Sequence, residues 1–187
     1  MPSAAPLPPL NAAAVLRQFG LRPDKSLGQN FLQDPNALER IAAAAEITPQ
    51  DAVLEIGPGL GSLTRYLAAA ARQVTAVELD ARLLPALTQT LAPFDNVRIV
   101  EGDILNVPPE ALVSESGYLV VANIPYYITS AVLRHLFSFA LRPRRMVLTI
   151  QREVAERICA GPGDLSLLAL SVQIYGQPRI AVHIPAG

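Results

Sequence analysis

The chain has a single cysteine, Cys159, no tryptophan and two histidines, and only one of its fifteen basic residues is a lysine, Lys25. One thiol excludes an internal disulfide framework and a cysteine-rich zinc site, and it fits a reducing compartment. His135 and His183 stand without a serine, aspartate or ligand partner at a diagnostic spacing. That removes the usual nucleophilic triads and leaves structural roles for both. An excess of one charge is lacking too. The formal net charge of −1 and a pI near 6.1 give no overall pull toward a polyanion, so a nucleic-acid partner would have to be held by local patches. No apolar run approaches the roughly 20 residues needed to cross a bilayer. The first ten residues carry four prolines and lack the apolar core of a signal peptide. They read as a flexible arm on a cytoplasmic chain, although Arg17 and Arg22 with no acid before Asp24 also fit an organellar transit segment. The near-exclusive use of arginine fits genomic base composition or thermal adaptation.

What is present is enough for one α/β domain: 187 residues, 51% of them hydrophobic. Beyond the arm at 1–10, residues 11–187 read as one domain. A short helix is expected around Asn11–Phe19, then a polar loop from Arg22 to Asn30, then a helix over Pro35–Glu46 with Leu38, Ile41, Ala42 and Ala45 on one stripe. From there strand-like runs at Val53–Ile56, Val74–Glu78, Val97–Val100, Tyr118–Ala122, Met146–Ile150 and Leu168–Tyr175 alternate with helical stretches near Leu63–Ala71, Ala81–Leu91, Ser130–Phe139 and Glu153–Ala160. Such βαβ alternation predicts a mostly parallel sheet with helices on both faces, which binds ligands outside the carboxyl ends of its strands.

The run Leu54-Glu55-Ile56-Gly57-Pro58-Gly59-Leu60-Gly61 is a strand emptying into a glycine turn that opens a helix, where bare backbone admits a ligand closely. Ser62 stands where a dinucleotide-binding G-x-G-x-x-G pattern wants its last glycine, which counts against NAD. Glu78 ends the next strand, 21 residues after Gly57, the place from which an acid takes ribose hydroxyls; a solvated strand-end acid is the plainer alternative. Asp103 ends the third strand, where it could accept from an adenine amino group or simply form a turn.

Asn123-Ile124-Pro125-Tyr126 ends the fourth strand, and its atoms suit an exocyclic amine. The Asn123 carbonyl oxygen and a neighbouring backbone carbonyl can each accept an N–H of a purine amine, freeing a lone pair otherwise delocalised into the ring. Pro125 fixes the turn, and Tyr126 offers a flat face for a flipped-out base. A strand-ending turn with a surface tyrosine is the alternative.

Two acids and an asparagine at successive strand ends beside a glycine turn resemble class I S-adenosylmethionine-dependent methyltransferases with a Rossmann-like fold. Together with Lys25-Ser26-Leu27-Gly28-Gln29-Asn30-Phe31-Leu32, LEIGPGLGSLT, VELD, GDIL, NIPYYITS and QREVAER, the ordered set looks like the ribosomal small-subunit RNA adenine N6,N6-dimethyltransferase family from about Asn11 to Gly187. The resemblance implies that Asn30, the backbone at Leu32, Gly57 with Gly59 of the same turn, Glu78, Asp103 and Asn123 hold S-adenosylmethionine. It likewise implies that Asn123, Pro125 and Tyr126 hold the target adenine, and that the partner is small-subunit ribosomal RNA or a precursor particle in ribosome biogenesis. No metal is implied. The macrolide-resistance methylases of large-subunit RNA share NIPY, while Gly28 and QREVAERI are more similar to the small-subunit enzymes. A non-catalytic RNA-binding assembly or transcription factor could reuse the fold, and a small-molecule methyltransferase would have no need of NIPY.

Arg22 and Lys25 near the expected rim are read as phosphate contacts, and Arg142, Arg144 and Arg145 as a second basic group or as solvated loop residues. Family members usually continue into an aromatic, proline-rich segment, a final antiparallel strand and a small helical domain. The chain stops where these would begin, so a truncated catalytic domain is expected. All the expected cofactor contacts lie between Asn30 and Asn123, independent of that part.

Overall fold

A computed structural model describes residues 7–24, 27, 29, 31–124 and 128–184. Five strands form one parallel sheet: β1 (Ala52–Ile56), β2 (Gln73–Glu78), β3 (Val97–Glu101), β4 (Leu119–Asn123) and β5 (Arg145–Thr149), in the order β3-β2-β1-β4-β5. The register pairs Leu54 with Thr75 on one side of β1 and with Val120 on the other. The order reverses direction between β1 and β4, and the gap this leaves above their carboxyl ends is where such sheets take ligands. The fold is a Rossmann-like, doubly wound α/β sheet, as the alternation of strands and helices predicts.

Strands β1, β2 and β4 read as nearly continuous apolar runs because both of their faces are covered. On one face α2 (Pro35–Ala44) and α3 (Ser62–Ala70) bury Leu38, Ile41, Leu63 and Leu67 against Val53, Val74, Leu119 and Val121. On the other, Val132 and Leu136 of α5 (Thr129–Phe137) meet Leu54, Ile56, Val120 and Ala122. Helix α1 (Ala12–Gln18) packs with Leu60, Leu83 and Ala86, the last from α4 (Leu84–Leu91). The start of α2 is written locally: Asp34 accepts from the Asn36 amide at 3.0 Å, and Pro35 occupies the first turn, where its missing N–H has no partner to lose.

The sequence expectation fails at Leu168–Tyr175, which is not a strand. Leu167–Gln173 form a helix, α7, packed on α6 (Arg152–Ile158). Ser166 caps it by accepting from the Ala169 amide at 3.2 Å; Ala169 and Val172, three apart, are both buried, and Val172 packs with Leu133 and Ile158. The branched and aromatic residues of that run favour a strand only weakly, and the cap with this burial spacing outweighs them.

At the amino end of the sheet Asp51 is held from two sides. It accepts from the Thr48 amide and hydroxyl, and the Arg144 guanidinium makes a fork onto it at 2.8 and 3.0 Å, tying the β5 end to the β1 end. Arg145 pairs with Glu46 at 2.8 Å and donates to the Ala45 carbonyl. Two of the three arginines read as candidate phosphate contacts are therefore engaged in binding the fold together. No helix among the described residues is long and apolar enough to cross a membrane.

Candidate functional site

A cavity of about 260 Å³ opens at the carboxyl ends of β1 to β4. Gly57, Gly59, Glu78, Asp103 and Asn123 line it from below, Leu27, Gln29, Phe31 and Leu32 from the N-terminal segment, and Ile124 and Ile128 from the chain after β4. Six residues singled out in the sequence (Leu32, Gly57, Gly59, Glu78, Asp103 and Asn123) thus line one cavity. Asn30, Pro125, Tyr126 and Lys25 lie outside the described residues. Arg22 is exposed.

The glycine turn is built from backbone that other residues adopt only under strain. Gly57, Gly59 and Gly61 have φ of 68°, 60° and 86°. At Gly57 an added Cβ would meet nothing within 4 Å, whereas at Gly59 it would lie 3.0 Å from the Phe31 ring. The first glycine therefore leaves a space over its backbone, and the second lets the aromatic ring of the N-terminal segment close down on the turn.

Glu78, 5% exposed, is held in place before any ligand arrives. Its Oε2 accepts from the Gly59 amide at 2.9 Å and its Oε1 from the Asp80 amide at 2.8 Å, which leaves lone pairs on both oxygens for hydroxyl donors. Burial pushes its pKa up while those amides pull it down. Asp103 also makes the turn proposed as its alternative: Oδ1 accepts from the Leu105 amide and Oδ2 from the Asn106 side chain, each at 2.9 Å. Turn-forming and cavity-lining are here one arrangement, because the turn fixes the carboxylate on the wall. Asn123 is the last residue of β4, half-buried, and pairs in register with Thr149.

Sequence reasoning missed Glu55. It sits in the central strand, lines the cavity under the glycine turn and is 1% exposed. Its Oε2 and the buried hydroxyl of Thr64 on α3 have no hydrogen-bond partner among the described residues. Burial pushes its pKa to about 8; the nearby Thr64 hydroxyl counteracts this in part, although the two groups do not complete a hydrogen bond, and the Glu78 charge adds to the rise. At neutral pH Glu55 therefore keeps its proton. The signal was legible: a lone acid inside Ala-Val-Leu-Glu-Ile, a strand otherwise apolar on both faces.

His135 is structural, as expected. Its Nε2 lies 2.9 Å from the Val107 carbonyl, and its ring meets Phe139 edge-on at 4.9 Å. Among the described residues no cluster of His, Cys, Asp or Glu could hold a metal ion.

The family model for ribosomal RNA adenine dimethylases matches residues 20–181. The chain belongs to that family. A curated relative, ribosomal RNA small subunit methyltransferase A of Dehalococcoides mccartyi (strain CBDB1), is 44% identical over 99% of the chain and 64% of its own length. This dimethylase-family chain therefore spans under two thirds of that relative. Among solved structures, a dimethyladenosine transferase from Plasmodium falciparum superposes with a TM-score of 0.68 at 32% identity, covering 78% of this chain and 52% of that one. The 23S rRNA methyltransferase ErmE superposes at 0.65 with 38% identity, covering 76% and 57%.

Proposed function

We propose that the chain is the catalytic domain of an enzyme that transfers two methyl groups from S-adenosylmethionine to the N6 amine of an adenine in small-subunit ribosomal RNA, in the cytoplasm, during ribosome biogenesis. One observation carries the reading: a carboxylate on each of two successive strand ends, a glycine turn and an asparagine amide face one cavity at the sheet's switch point, and the asparagine opens the NIPY segment. The donor set fits the cofactor. Glu78 has free lone pairs for ribose hydroxyls, Asp103 presents a fixed acceptor for the adenine amino group, the space over Gly57 admits a close approach, and the unpartnered Glu55 oxygen leaves an acceptor for a polar or cationic group. Asn30 and Gly57 would hold the cofactor's amino-acid end, and the backbone at Leu32 would line the same site.

Bound there, S-adenosylmethionine supplies a methyl group on a sulfonium already reactive toward nucleophiles. The chain's own task is to orient and dry the amine. Asn123 Oδ1 accepts one N–H of the substrate amine and a backbone carbonyl of the NIPY turn accepts the other, drawing the nitrogen toward tetrahedral geometry so that its lone pair can attack. Ile124, Ile128, Phe31 and Leu27 keep water from that face. The methylated amine then loses its proton to water, so no general base is needed. Pro125 fixes the turn, Tyr126 stacks on the target base, and Arg22 with Lys25 meets phosphates at the rim.

The 38% identity to ErmE favours a second reading, methylation of large-subunit RNA. Methyl transfer to small-subunit particles and to large-subunit RNA, measured side by side, separates the two. Label confined to small-subunit adenine supports the proposal, and label confined to large-subunit RNA replaces it.

A further inference from the structure

Four residues at the rim of the cavity form a closed ring of hydrogen bonds that ties the N-terminal segment to the end of β2. Asp80 Oδ2 accepts from Gln29 Nε2 at 2.7 Å; Gln29 Oε1 accepts from the Asp24 amide at 2.8 Å; and Asp24 Oδ2 accepts from Arg82 Nη2 at 3.0 Å. Arg82 closes the ring with two bonds back onto Asp80, Nε to Oδ1 at 2.8 Å and Nη2 to Oδ2 at 2.7 Å. The Asp80 side chain is 6% exposed, so its carboxylate has little water to fall back on if these donors leave. Neither Asp80 nor Arg82 lines the cavity, whereas Gln29 does, together with Leu27, Phe31 and Leu32.

The ring joins the site at two points. Through its backbone, Asp80 donates to Glu78 Oε1, the carboxylate assigned to the ribose. Through Gln29 it holds the segment whose Phe31 ring closes on Gly59, the residue whose amide donates to the other oxygen of Glu78. Roof and floor of the cavity are therefore fastened to the same two-residue step at the end of β2.

We propose that Asp80 and Arg82 are positioning residues: they clasp Asp24 and Gln29, and with them the cavity-lining Leu27 and Phe31, as a roof over the cofactor cavity and thereby set how long the cofactor stays. The proposal rests on the cofactor reading above. Loss of the clasp lets the roof lift without disturbing the sheet, because the ring lies beyond the last residue of β2 and its bonds run to the segment rather than to the core. Entry is left unchanged and exit is accelerated.

The test uses this chain and the variants Arg82→Ala and Arg82→Lys, with S-adenosylmethionine as the probe. Stopped-flow binding should show dissociation about tenfold faster for Arg82→Ala, the loss of a charged hydrogen-bond pair, with association within about twofold. Arg82→Lys should fall between. Hydrogen exchange should speed up at the amides of Leu27, Gln29 and Phe31 and stay unchanged in β1. Release at the wild-type rate from Arg82→Ala, in a protein whose wild type binds, overturns the clasp while leaving the cofactor reading intact. So does exchange that accelerates evenly through β1 and the roof, which would mark Arg82 as a general stabiliser. A wild-type chain that binds no S-adenosylmethionine overturns the cofactor reading, and the residence-time claim with it.

Discussion

Replacing Glu55 by glutamine should stabilise the protein by an amount that grows with pH. In the unfolded chain this carboxyl ionises near 4.5, whereas in the fold burial holds its proton to about 8. Between those values the folded state binds more protons than the unfolded one, so the wild type loses stability as pH rises, by about 1.4 kcal/mol per unit from this group. Below about pH 4.5 both states are protonated and above about pH 8 both are ionised, so the loss begins at the first and levels off past the second. Across that window the sum reaches about 4 kcal/mol as an upper figure, since the strand relaxes around a buried charge. Glutamine keeps the shape and cannot ionise. At about 2–4 °C per kcal/mol for a chain of this size, the variant should gain up to roughly 8–16 °C in thermal midpoint over the wild type at pH 8 and almost nothing at pH 4.5. Removing the Glu55 charge also relieves Glu78, which acts in the same direction. Asp80, held at about 2 mainly by its bonds to Arg82, contributes stability that is present above its unfolded pKa and lost on acidification; it does so in both proteins and cancels. Thermal melts of both proteins at unit steps from pH 4.5 to 9 test this. Melting curves that shift in parallel across pH would refute the buried, proton-holding state of Glu55.

Glu78→Ala should weaken S-adenosylmethionine binding about ten- to a hundredfold by calorimetry, because two hydroxyls lose a charged acceptor; unchanged affinity in a folded variant would remove the ribose assignment. Gly59→Ala should cost about 1–2 kcal/mol for the left-handed backbone, plus what it takes to move the Phe31 ring 3.0 Å from the new Cβ, read by urea denaturation; a neutral effect would contradict the close packing of roof on turn. Ser166→Ala should cost about 1 kcal/mol by the same measurement through loss of the α7 cap.

The five strands, most of the helices and the glycine turn were legible because each is written in short-range periodicity and backbone need. Residues 168–175 were not, since their β-branched composition resembles a buried strand and only Ser166 with the spacing of Ala169 and Val172 distinguishes a helix. Glu55 was visible as a lone acid in an otherwise apolar strand, but it escaped because the sequence does not say whether the space beside it is filled by core or by a ligand cavity. Arg144 and Arg145 looked free in sequence because Asp51 and Glu46, their partners, lie about a hundred positions earlier. The Asp24–Gln29–Asp80–Arg82 ring was invisible for the same reason: its halves are more than fifty residues apart. Gly57, Glu78, Asp103 and Asn123 could be gathered in advance because strand ends of a doubly wound sheet converge whatever their distance along the chain.

The central claim is that Asn123 activates an adenine amine in this cavity. The most direct measurement incubates the chain with methyl-labelled S-adenosylmethionine and small-subunit particles, digests the RNA and identifies labelled nucleosides by mass spectrometry, for wild type and Asn123→Ala. The account predicts label in N6,N6-dimethyladenosine, reduced about a hundredfold in the variant, as for removal of one group that acts on the transition state. Label on another base, no label from the wild type, or an Asn123→Ala yield within about threefold of wild type would contradict it.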